Sequence, residues 1–180
     1  VHAADHFTAK ELHMTTVDRR SAFLLGTASV ACLASPKTAS AQAGEVARNK
    51  EVLARAYQRW HETKGGSVND WMEIIAGNIQ FGSIAEGMPA ATFTARVNGK
   101  QELKRYFDGL RENWEMIHYT VNHFIAEGDR VAAVGSTAWR NKRTGKVCET
   151  PKVDVWRLRD GRAIEFYEYF DTAKMIQAAT

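Results

Sequence analysis

The stretch KVDVWRLRDGRAIEFYEYF, Lys152 to Phe170, decides the fold. Polar and apolar side chains alternate on either side of Asp160-Gly161, a pair suited to the positive backbone dihedrals of a tight hairpin turn. Two antiparallel strands are expected, at 147–158 and 162–170. Parity sorts their chemistry: Asp154, Trp156 and Leu158 share one face, and Val153, Val155 and Arg157 the other. A three-residue loop with Gly161 left-handed pairs Leu158 with Arg162 and brings Phe166, Glu168 and Phe170 onto the Asp154 face. A two-residue loop brings Tyr167 and Tyr169 there instead, because a one-residue slip exchanges the faces of a strand. The three-residue loop is the expectation, since it packs Phe166 and Phe170 inward.

Working outward, the period stays near two back to Ile117, with turn signals at Gly128-Asp129 and Thr144-Gly145. Strands are expected at 117–127 and 130–142. Further back the period lengthens. Val46, Leu53, Tyr57 and Trp60 mark an amphipathic helix over 45–64, stopped by Gly65-Gly66. Ser67, followed by Asp70, reads as the N-cap of a short helix through Trp71, Ile74 and Ile75. A brief strand follows at 78–81. The segment 82–98 reads as a loop with a short strand near Phe93. Leu103, Tyr106, Phe107 and Leu110 give a third helix over 99–113. Helices first and antiparallel strands after argue an α+β fold, a cone-shaped curved sheet wrapped around three helices. Its interior is where a small molecule is expected.

Composition removes several alternatives. The chain has 180 residues, 44% hydrophobic, 10% aromatic and 25% charged, with a formal charge of +3. That is too balanced for a nucleic-acid surface and too aromatic for wholesale disorder. The first part reads differently. Met14 leads into Arg19-Arg20, an apolar run from Ala22 to Ala34, and small residues around Ala39-Ser40-Ala41. This is the layout of a secretory signal, and the paired arginines near Phe23-Leu24 make it similar to a twin-arginine signal. The expected organisation is a leader over 1–43 and a domain over 44–180, exported to the periplasm or medium and without a membrane span once mature. Cys148 alone remains in that domain, so no disulfide within it is expected.

The order of elements, with Ala126-Glu127-Gly128-Asp129-Arg130-Val131 at the first long hairpin and Trp156-Arg157-Leu158-Arg159-Asp160-Gly161-Arg162 at the last, resembles the SnoaL-like polyketide-cyclase family. That family shares its cone-shaped fold with ketosteroid isomerases and nuclear transport factor two. The resemblance implies site residues. Tyr57 falls where the isomerases place an oxyanion-hole tyrosine, and Asp154 where they place a neutral aspartic acid beside it. No acid stands just after the first strand, where Phe81-Gly82-Ser83 occupies the isomerases' base position. Phe166-Tyr167-Glu168 occupies the cyclases' His-Trp-Asp pattern, so Glu168 becomes the implied base, without the histidine.

The chemistry implied is proton abstraction next to a carbonyl, with no cofactor, by Glu168 with Tyr57 and Asp154 polarising the oxygen. Trp71, Trp156, Phe81, Phe166 and Phe170 are the expected walls for a hydrophobic small molecule. His123, sharing a face with Val121 and Ile125, is expected to reach the cavity. A metal is not expected, because His118 and His123 are five apart on a strand and face opposite sides. A non-catalytic ligand-binding or partner-binding module stays open beside the enzyme. The uncovered sheet face suggests a homodimer.

Overall fold

A computed structural model describes residues 36–180. The twin-arginine stretch lies outside the described residues. The elements run α1 (Pro36–Glu62), α2 (Val68–Ile74), β1 (Ile75–Ser83), a short 3₁₀ helix (Pro89–Thr94), β2 (Val97–Asn98), α3 (Lys100–Asn113), β3 (Trp114–Glu127), β4 (Arg130–Asn141), β5 (Val147–Arg159), β6 (Arg162–Phe170) and α4 (Thr172–Ala179). One six-stranded sheet has the order β2-β1-β6-β5-β4-β3. β1 pairs with β6 in parallel, and the other pairs are antiparallel. Leu53, Tyr57 and Trp60 of α1 and Leu103, Tyr106 and Phe107 of α3 bury their stripes against the inner sheet face. The α+β fold is therefore as expected.

Three local departures have physical causes. Pro89, pre-set for a first helical turn, starts a 3₁₀ helix that includes Phe93, and the short strand comes later, at Val97–Asn98. Ser67 stands at the α2 N-cap, but its hydroxyl is buried and caps nothing. The additional helix α4 starts at Asp171, whose side chain accepts from the Lys174 amide at 3.1 Å.

The decisive hairpin reaches the expected facing by a different route. Asp160 and Gly161 have φ of 51° and 73°, and Arg159 pairs directly with Arg162, so the loop has two residues. Leu158 pairs with Ala163, but Arg157 pairs with Glu165. Ile164 is thus the extra residue of a β-bulge, which restores the parity that the short turn would have reversed. Phe166 lies opposite Trp156, Glu168 opposite Asp154, and Phe170 opposite Lys152.

Bulges also decide β3. Its register shifts between Met116 and His118 and again between Val121 and His123. The second shift turns Phe124 and Ala126 toward the core and sends His123 and Ile125 outward. Gly135 makes this possible: a Cβ there would lie 1.8 Å from the Thr120 carbonyl oxygen, a backbone atom that cannot step aside. Gly135→Ala is therefore expected to lower stability by about 2–3 kcal/mol, as overpacking does. Urea unfolding checks it, and an unchanged midpoint would contradict the close approach.

Candidate active site

The inner faces of β5 and β6 deliver Lys152, Asp154, Trp156, Phe166, Glu168 and Phe170 to one cavity of about 80 Å³. Tyr57 and Trp60 from α1, Trp71 from α2, Tyr106 from α3 and Tyr119 from β3 complete much of the wall. Trp71, Trp156 and Phe166 form a near-parallel stack, with centroids 5.2 Å and 4.1 Å apart. Polar groups buried beside such a stack need partners, and most of them find one here, Trp71 Nε1 excepted.

Those polar groups form one network. Lys152 Nζ donates to Glu168 Oε2 at 2.6 Å and lies 3.2 Å from Asp154 Oδ1. Tyr106 donates to the same Glu168 oxygen at 2.8 Å. Tyr57 donates to Asp154 Oδ2 at 2.6 Å, and Tyr119 donates to that oxygen as well. Trp156 Nε1 in turn donates to the Tyr57 hydroxyl at 2.7 Å. Lys152, Asp154 and Glu168 are only 8%, 2% and 2% exposed, so their charges compensate one another rather than being solvated. Phe170 adds a ring face 5.0 Å from the ammonium.

Two carboxyls share one ammonium, so full ionisation would leave a buried negative charge. Burial pushes Asp154 up from the ordinary carboxyl value, the neighbouring Glu168 adds to this, and Lys152 and the two tyrosine hydrogen bonds only partly oppose it. For Lys152, burial acts downward, but Asp154 and Glu168 outweigh it and the ammonium is held above the usual lysine range. Tyr57, Tyr106 and Tyr119 are all raised well above the ordinary phenol, first by burial and next by the carboxylate each one faces.

The SnoaL-like domain family matches residues 53–166. The chain belongs to that family. No curated protein matches it. Among solved structures, an NTF2-like protein from Burkholderia xenovorans LB400 is similar at 20% identity with a TM-score of 0.63, covering 75% of this chain and 98% of that one. A protein described as a SnoaL-like polyketide cyclase from Jannaschia sp. CCS1 is similar at 18% identity and TM-score 0.61, over 74% and 92%. TerC, co-crystallised with polyporic acid, is similar at 19% identity and TM-score 0.61, over 73% and 98%. These likenesses establish the NTF2-like fold.

Within this SnoaL-like domain, Tyr57, Asp154 and Glu168 do meet, and Trp71, Trp156, Phe166 and Phe170 line the cavity. Phe81 stands behind the wall, packed on Tyr106 and Phe166 at 4.6 Å and 5.3 Å. His123 is exposed on the outer face, because the β3 bulge reverses its parity. The Tyr57 hydroxyl hydrogen points at Asp154 rather than into free space. Aromatic rings are not the only surroundings of Glu168, since Lys152 compensates its charge. Lys152, Tyr106 and Tyr119 are site residues that were not anticipated. Lys152 has the parity of Asp154 and Trp156, and a lysine on an inward face was the available signal.

The raised groups fix the sign of the alkaline response. Above about pH 10 the unfolded chain releases tyrosine and lysine protons that the folded one keeps, so stability falls as pH rises through that range. Tyrosinate absorbance from Tyr57, Tyr106 and Tyr119 is expected to appear together with loss of near-ultraviolet circular dichroism. Their ionisation in a folded protein would contradict the network.

Proposed function

We propose that this SnoaL-like domain binds a small apolar carbonyl compound and abstracts a proton next to the carbonyl, with Glu168 as base and no cofactor. The observation that carries this reading is the division of labour at Glu168. Both hydrogen bonds to its carboxylate, from Lys152 and Tyr106, fall on Oε2, and among the described residues Oε1 receives none. Oε1 is then the basic atom, on a carboxylate whose rotation two donors prevent. Asp154 lies opposite Glu168 on the paired strand, and Tyr57 and Tyr119 fix its orientation. Apolar walls keep water from competing for the proton. A neighbour described as a SnoaL-like polyketide cyclase, and the complex of TerC with polyporic acid, support a ligand in this cavity.

Two further parts of the reading concern context. Arg19-Arg20 with the apolar run behind them support export through the twin-arginine route. The outer sheet face, with exposed Ile125 and Tyr169 beside half-buried Val153 and Val155, supports a homodimer.

Glu168→Gln tests the base. Deuterium exchange next to the carbonyl of small enolisable ketones, followed by NMR, is expected to fall by about 10²–10⁴-fold. Ligand affinity is expected to stay within about threefold, equivalent to less than 1 kcal/mol. Unchanged exchange sinks the enzyme reading and leaves a binding module of the same cavity.

A further inference from the structure

We propose that Lys152 is the catalytic electrophile of this site: its ammonium, rather than the Tyr57 hydroxyl or Asp154, contacts the oxygen of the bound carbonyl compound. This rests on the reading of Glu168 as base. The argument is an accounting of donors. Each of the three tyrosine hydroxyls at the cavity floor already spends its hydrogen on a carboxylate, Tyr57 and Tyr119 on Asp154 and Tyr106 on Glu168. Trp156 Nε1 is spent on Tyr57, and Trp71 Nε1, which has no partner among the described residues, is a neutral donor without the charge to balance an anionic oxygen. Asp154 Oδ1 is buried without an aligned hydrogen bond, and Lys152 Nζ stands over it at 3.2 Å. An ammonium has three hydrogens. One goes to Glu168 and one faces Asp154, so a third remains, on a group that lines the cavity.

Electrostatics favours the same assignment. When Glu168 Oε1 takes the proton from carbon, the C–H electron pair becomes the new C=C bond and the carbonyl π pair moves onto oxygen. Glu168 becomes neutral as the oxygen becomes negative. Lys152 then exchanges one anionic partner for another within reach of the same Nζ, and the buried charge count never changes. Return of the proton from Glu168 to either end of the enolate closes the cycle. In this scheme Tyr57, Tyr119 and Asp154 are positioning residues that fix Lys152 from below.

Phenols mimic an enolate and need no turnover, so they separate this proposal from the base assignment. p-Nitrophenol, followed by the visible absorbance of its ionised form, is expected to bind the full-length protein as phenolate. Its affinity is expected to exceed that of p-cresol by about tenfold or more, the scale of one hydrogen bond to a charged group. Lys152→Met and Lys152→Gln are expected to remove that preference while p-cresol affinity holds within about threefold. In wild-type protein with ¹⁵N-labelled lysine, a single ammonium resonance is expected to shift on adding p-nitrophenol, a readout that survives misfolding of the variants. The proposal is overturned if the lysine variants retain the preference, or if the wild type binds no phenolate or shows no shifted ammonium. Proton exchange that persists in Glu168→Gln refutes the base, and the phenol result still decides Lys152 by itself.

Discussion

The contact between Lys152 Nζ and Glu168 Oε2, 2.6 Å long and out of reach of water, is the constraint on which the cavity depends. A lone ammonium or a lone carboxylate among these rings would cost several kcal/mol, so the two strands that carry them have to stay in register. That register sets the rest. With Asp154 opposite Glu168, the tyrosines of α1, α3 and β3 each find a carboxylate oxygen, and the helices are tied to the sheet by polar as well as apolar contacts. Replacing all of this with hydrocarbon would make a better-packed core. Keeping it maintains charge inside an apolar pocket, the condition under which acid–base chemistry is effective.

Much of the fold was legible because its signals are periodic. The hairpin from Lys152 to Phe170 shows its inner face by parity, and the helices show theirs by spacing of three and four. What escaped were single-residue insertions. The bulge at Ile164 corrects a turn that is one residue shorter than expected, so the facing of Glu168 was right although the loop was not. The bulge beside Asn122 has the opposite outcome and turns His123 to the outer face. Neither leaves a mark in hydrophobic periodicity, since a bulge is settled by close backbone approach, as at Gly135, rather than by side-chain type.

The site was legible in part for a related reason. Tyr57, Asp154 and Glu168 followed from the family resemblance, and the aromatic walls from parity. Lys152 did not, because lysine is ordinarily a surface residue and its neighbours Glu149, Pro151 and Arg157 make the strand look solvated. The informative reading was its parity with Asp154. A charged residue of each sign on one inward face is evidence of a compensated buried cluster, and that cluster, rather than the loose hairpin motifs, distinguishes this SnoaL-like domain from a bare hydrophobic pocket.

The most direct test is a double-mutant cycle on stability with Lys152→Met and Glu168→Gln. If the ion pair organises the cavity, Lys152→Met alone costs about 3–5 kcal/mol by stranding the carboxylate, and adding Glu168→Gln recovers much of that loss. Additive losses in the double variant would contradict the account.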